Sequence, residues 1–185
     1  MSTLEIAAVV INIAGVWLTA RRQVWCWPVG MVAVLLYAQL FYRSKLYSDM
    51  LLQGLFALMQ LYGWWQWRRQ GTDQGRVKVA RLPVQTALAS LGMGLVGSLA
   101  LGTAMAAFTD AAVPSLDATL TCFSLVASFW AARRYRANWL LWILLDVIYV
   151  GLFLYKDLRL TATLYASFVA LAVLGWRAWR QPANH

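Results

Sequence analysis

Residues 138–155 read NWLLWILLDVIYVGLFLY, a run of eighteen residues with one charged side chain, Asp146. A hydrocarbon core about 30 Å thick needs roughly 17–25 mostly apolar residues in helical form, so this run is long enough to cross. Within it Trp139, Trp142, Asp146, Tyr149 and Phe153 recur at i, i+3, i+7, i+10 and i+14, which puts them on one stripe of the helix. Asp146 falls near the bilayer centre, where a carboxylate costs at least ~2.5–3.5 kcal/mol unless it faces a cavity or a partner. Two readings fit it. It bonds a neighbouring helix, or it forms an anionic, aromatic-lined wall suited to a flat cationic ring through stacking and cation–π attraction.

Six further stretches resemble this one in length and polarity. The expected helices cover about 4–20, 26–42, 48–67, 84–108, 116–132, 138–155 and 160–177. The chain is 62% apolar and 12% charged, and about a quarter of the residues in a soluble domain are charged. The fold class that follows is an all-α membrane protein with seven transmembrane helices. Residues 1–5 lack a positive n-region and the first apolar stretch lacks a small-residue cleavage site, so it reads as a retained helix. Eleven tryptophans suit a chain with many wet–apolar edges.

The net charge of +9 raises nucleic acid as a partner, but Lys and Arg sit in short clusters between apolar runs, which is a topology signal. With seven helices, Arg21, Arg22, Arg68, Arg69, Arg76, Lys78, Arg81, Arg133, Arg134, Arg136, Arg177 and Arg180 fall on one side. Only Arg43, Lys45, Lys156 and Arg159 fall on the other, with Asp110 and Asp117. The positive-inside rule then places the N-terminus in the periplasm and the C-terminus in the cytoplasm of a bacterial inner-membrane protein.

The chain also repeats itself. Shifted by 112 positions, Ala20-Arg21-Arg22 meets Ala132-Arg133-Arg134, Trp27 meets Trp139, and Tyr37 meets Tyr149. Gly63-Trp64 meets Gly175-Trp176 and Trp67-Arg68 meets Trp179-Arg180, with 14 identities over the 49 positions from 20 to 68. Leu-rich stretches match by chance; Arg-Arg, Gly-Trp and Trp-Arg steps at one offset do so far less readily. Residues 1–69 form a first three-helix repeat, 70–112 a cytoplasmic linker plus connecting helix, and 113–185 a second repeat with a short tail. The connecting helix re-inverts the chain, giving 3+1+3 parallel repeats with a substrate held between the halves.

Other polar residues are weighed on the same terms. The third helix presents Asp49, Gln53, Phe56, Gln60, Gly63 and Trp67 on one face, and the two amides suit either a ligand's hydroxyls or interhelical bonding. Trp27 precedes Pro28 and Gly30, which are positioned to break or kink the second helix. Asn12, Ser124, Ser128 and Tyr165 read first as packing or hydrogen-bond glue. Gly92-Met93-Gly94-Leu95-Val96-Gly97 spells a dinucleotide-type fingerprint but lies inside an apolar span, where it serves close helix packing. The sole histidine is His185, and Cys26 and Cys122 have no pairing spacing, so no catalytic residue, metal site or cofactor is implied. An intramembrane enzyme using Asp49, Asp110, Asp117 or Asp146 is the competing class. Asp110 and Asp117 fall in a loop and Asp49 near a helix end, which argues against a close pair with Asp146.

Trp27-Pro28-Val29-Gly30, Leu46-Tyr47-Ser48-Asp49-Met50-Leu51-Leu52-Gln53, Tyr62-Gly63-Trp64 and Asn138-Trp139-Leu140-Leu141-Trp142 together resemble the PnuC family of vitamin transporters, over essentially the whole chain. The resemblance implies the 3+1+3 topology related to the SWEET sugar transporters and a homotrimer. It also implies uptake of nicotinamide riboside by facilitated diffusion, with trapping by a cytoplasmic kinase. It implies that Gln53, Trp139, Trp142 and Tyr165 line the pocket; Asp146, Tyr149, Gln60, Asn138 and Trp27 complete the candidate set. Position 146 is an asparagine in the nicotinamide riboside pattern and an aspartate here. Thiamine, which also carries a cationic ring, is therefore the alternative substrate, and a proton-coupled symporter using Asp146 the alternative mechanism.

Overall fold

The computed structural model describes residues 3–43, 47–71, 76–108, 113–155, 157 and 159–180. Seven helices account for nearly all of them: α1 (Thr3–Ala20), α2 (Cys26–Arg43), α3 (Tyr47–Arg69), α4 (Val84–Phe108), α5 (Pro114–Ala132), α6 (Asn138–Tyr155) and α7 (Arg159–Ala178). Expected and observed ends differ by at most two residues. Among the described residues, four spans are long and apolar enough to cross a membrane on length and composition alone: Val84–Phe108, Pro114–Ala132, Asn138–Tyr155 and Thr161–Ala178. The helices α2 and α3 fall short of that standard because Trp, Tyr and Gln interrupt their aliphatic residues. Pro28 does not break α2. It occupies the first turn, where its missing N–H would have had no partner.

Consecutive helices pack together within α1–α2–α3 and within α5–α6–α7. The two groups meet where α1 touches α7 and α3 touches α5, and α4 lies against α5. The α4–α5 contact runs along Ser90, Gly94, Ser98 and Gly102, four buried small residues at a spacing of four. Trp130 Nε1 donates to Ser90 Oγ across it at 2.9 Å. Gly92 meets nothing, so only part of the glycine-rich run serves packing. The rest of α4, including Leu88, Met93, Val96 and Leu99, is exposed.

The ends of α1 and α5 share one geometry. Arg22 and Arg134 adopt φ values of 60° and 64°. The Arg22 N–H donates to Thr19 O at 2.9 Å and the Gln23 N–H to Leu18 O at 3.1 Å. At α5 the Arg134 N–H donates to Ala131 O and the Tyr135 N–H to Trp130 O, both at 2.9 Å. This is the Schellman closure, in which a left-handed residue lets the chain turn back and satisfy the last carbonyls. Glycine usually fills that position; arginine fills it at both ends here. The carbonyls of the same two arginines then accept from the linker, Arg22 O from Val77 N–H at 3.2 Å and Arg134 O from Ala80 N–H at 2.9 Å. The segment expected as a linker is docked across both helix ends over 77–80, with Val77 buried.

Candidate transport site

Four tryptophans fill the arginine-rich end of the bundle. Trp27 packs edge-on to Trp67 with ring centroids 5.3 Å apart, and Trp139 edge-on to Trp179 at 5.5 Å. Trp67 and Trp179 join the pairs at 6.1 Å. Trp27 lies on Gly63 and Trp139 on Gly175, so closely that a methyl group at either glycine would overlap the ring. Trp67 Nε1 donates to Ala131 O and Ala132 O at 3.2 and 3.0 Å, and Trp179 Nε1 to Thr19 O at 3.1 Å. The other two indoles are different: Trp27 Nε1 and Trp139 Nε1 are buried and have no hydrogen-bond partner among the described residues. A buried donor left unpaired is costly.

A second aromatic group lies further along α6 and α7. Tyr149 and Tyr165 approach to 4.7 Å between centroids, Phe153 lies 6.0 Å from Tyr149 and 5.1 Å from Tyr165, and Phe168 meets Tyr165 edge-on at 5.7 Å. Tyr37 of α2 and Asp146 are within electrostatic reach of Tyr165, and Asp117 and Ser124 of α5 are close to Tyr149. Asp146 itself is 5% exposed. No basic side chain pairs with it among the described residues, whose one ion pair joins Arg159 to Asp157. Eight residues of helix separate it from Asn138, about 12 Å along the axis. The stripe of α6 does face inward, while Leu140, Leu144, Val147 and Leu154 face outward.

Trp142 packs on the tryptophan cluster and on the cluster of Leu120, Ala127, Leu145 and Leu152. Gln53 is half-buried. Gln60 lies over Gly30, its amide occupying the space a β-carbon there would take. At the positions 112 further on stand Trp142 and the buried Ala172, so each pair combines one large and one small residue with the sizes exchanged. Asn138 is fully buried at the start of α6, where Nδ2 donates to Tyr135 O at 2.7 Å and Oδ1 has no partner among the described residues. Of the candidate residues, Trp27 and Trp139 belong to the tryptophan cluster, while Asp146, Tyr149 and Tyr165 lie within electrostatic reach of one another. Sequence reasoning placed Trp67 on one face of the third helix without a role of its own, and used Trp179 and Tyr37 only as repeat markers. Their signal was present in the 112-residue offset, since Trp67 pairs with Trp179 and Tyr37 with Tyr149. Asp110 and His185 lie outside the described residues.

Comparison with known proteins shows the family. Residues 2–181 match the profile of the family described as nicotinamide mononucleotide transporter. The chain is 25% identical to the nicotinamide riboside transporter PnuC of Escherichia coli K12, over all of this chain and 87% of that one. It is 30% identical to the riboflavin/roseoflavin transporter RibM of Streptomyces davaonensis, over 86% of this chain and 76% of that one. A crystal structure of the vitamin B3 transporter PnuC superposes with a TM-score of 0.75 and 27% identity, covering 95% of this chain and 80% of that one. The inward-facing polar stretch, the apolar spans and these relatives together make the chain a multi-pass membrane transporter, not an enzyme, belonging to the nicotinamide mononucleotide transporter family.

Proposed function

We propose that this transporter takes up nicotinamide riboside by facilitated diffusion, holding it between the α1–α3 and α5–α7 halves. The observation that carries the cationic-ring part of the reading is Asp146, a buried carboxylate without a basic partner among the described residues and within reach of Tyr149 and Tyr165, while the choice of nicotinamide riboside over thiamine rests on resemblance to the PnuC family. A cationic pyridinium ring complements that wall, and the free indole N–H groups of Trp27 and Trp139 match the hydroxyl oxygens of a ribose. Gln53, Gln60 and Asn138 supply further amides. The reading includes two parallel three-helix halves joined by α4, and it is supported by the paired Schellman ends, Trp–Gly contacts and Trp–carbonyl bonds at the 112-residue offset. The arginine distribution supports a periplasmic N-terminus and a cytoplasmic C-terminus. Assembly as a homotrimer and trapping by a cytoplasmic kinase complete the proposal, by resemblance to the PnuC family.

Radiolabelled nicotinamide riboside binding to the purified protein, competed by thiamine and riboflavin, tests the substrate. Saturable binding displaced only by unlabelled nicotinamide riboside is expected. Stronger displacement by thiamine would assign the carrier to that vitamin, and absence of saturable binding would end the reading. Uptake into liposomes should stop at equal concentration with or without a pH gradient; accumulation driven by the gradient would make the protein a proton symporter.

A further inference from the structure

The contact between α1 and α7 is left open where its counterpart is filled. Between α3 and α5, Tyr62 stacks on Phe129 with centroids 6.2 Å apart and planes 13° apart. The positions 112 residues away are Leu174 and Trp17, so no second ring reaches across. The guanidinium of Arg21 sits 4.5 Å above the Trp17 ring, yet Trp17 remains 45% exposed and Leu174 54% exposed. The result is a cavity of about 370 Å³ lined by Trp17, Arg21, Arg22, Arg76, Leu171 and Leu174 among others.

Its chemistry is two-sided. Three arginines, two from the end of α1 and one from the linker, form the rim at the arginine-rich end of the bundle. None of them is in an ion pair among the described residues. Beneath them Leu171, Leu174 and Ala178 of α7 form an aliphatic wall. Guanidinium groups bind phosphate oxygens in a bidentate manner, and basic pockets between transmembrane helices at the cytoplasmic edge select acidic headgroups. A free anion would use the rim but not the wall; a neutral lipid would use the wall but not the rim.

We infer that this groove holds one anionic phospholipid, with its phosphodiester on Arg21, Arg22 and Arg76 and an acyl chain along Leu171 and Leu174. The bound lipid would tie together three parts of the molecule: α1 in one half, α7 in the other, and the linker strap that begins at Arg76.

Native mass spectrometry of the full-length protein, exposed separately to phosphatidylglycerol, phosphatidylcholine and inorganic phosphate, tests the assignment. One phosphatidylglycerol per chain should be retained through stepwise delipidation. Replacing Arg21, Arg22 and Arg76 together by Gln should lower its occupancy at least about tenfold. The charge-matched control, Arg133, Arg177 and Arg180 to Gln, should leave it unchanged. Leu174→Tyr restores the ring found at position 62 without altering charge, and should displace the lipid from a folded protein. Equal retention of phosphatidylcholine, loss in the control, displacement by phosphate alone, or full retention in Leu174→Tyr would each overturn the assignment.

Discussion

The indole Nε1 of Trp179 donates to the main-chain carbonyl of Thr19 at 3.1 Å, tying the end of α7 to the end of α1 across 160 residues. Trp67 makes the same kind of bond from α3 to Ala132 at 3.0 Å. Both carbonyls belong to helix ends closed by a left-handed arginine, so one indole from each half secures the last turn of the other half. Trp67→Phe and Trp179→Phe keep an aromatic ring but delete the donor together with the pyrrole half of the indole. Each should destabilise the protein by at least about 1 kcal/mol, the lost hydrogen bond and the cavity adding, read as a lower thermal midpoint in detergent. An unchanged midpoint would mean that packing alone holds the cluster.

The tryptophan–glycine contacts make a stricter test. Gly63→Ala and Gly175→Ala each force a methyl group into a ring, and overpacking of this kind costs about 1–3 kcal/mol. Relief should be pair-specific. Trp27→Leu should restore stability to Gly63→Ala and not to Gly175→Ala, with Trp139→Leu doing the reverse. Cross-rescue in thermal unfolding would contradict the observed pairing.

Asp146 offers a separation of charge from polarity. Asp146→Asn retains a hydrogen-bonding group and removes the anion, and should weaken binding of a cationic-ring vitamin by about tenfold. Asp146→Leu removes both and should weaken it by more than about a hundredfold. Neither should unfold the protein, because an unpaired carboxylate at mid-membrane is itself unfavourable. Equilibrium binding together with a thermal midpoint distinguishes the two effects. If Asp146→Leu binds as the unmodified protein does, the residue is not in the pocket.

The docked linker predicts a protease phenotype. Arg76 and Lys78 flank Val77, which is 1% exposed and bonded through its N–H to Arg22 O. Val77→Ala removes two buried methyl groups, about 1–2 kcal/mol of burial. Trypsin should then cut at Arg76 and Lys78 faster than in the unmodified protein. Equal cleavage rates would show that the strap is held by the main chain alone.

Much of the architecture was legible in the residues. Apolar run length located all seven helices to within two residues, because a membrane helix must satisfy its own backbone and carry its hydrophobicity locally. The stripe from Trp139 to Phe153 identified the inward face of α6 before any partner helix was known. The glycine-rich run on α4 was only half understood, since nothing in the residues distinguishes Gly94, which meets Val126, from Gly92, which meets nothing. Pro28 leaves α2 unbroken because it falls in the first turn, a placement that depends on one or two residues of helix start.

By itself, then, the sequence determined what each segment can do alone: which runs are helical, which face of α6 is polar, which end of the bundle is cationic, and that two stretches share a register 112 residues apart. Only the tertiary structure decided which residues meet. It set Gln60 on Gly30, gave the Trp67 and Trp179 indoles their carbonyls while leaving those of Trp27 and Trp139 free, and laid Val77 and Ala80 across two helix ends. The physical reason is the range of the interactions. Hydrophobic length and helix period act within a few turns, whereas a hydrogen bond or a ring-on-glycine contact between distant residues exists only once the helices are packed.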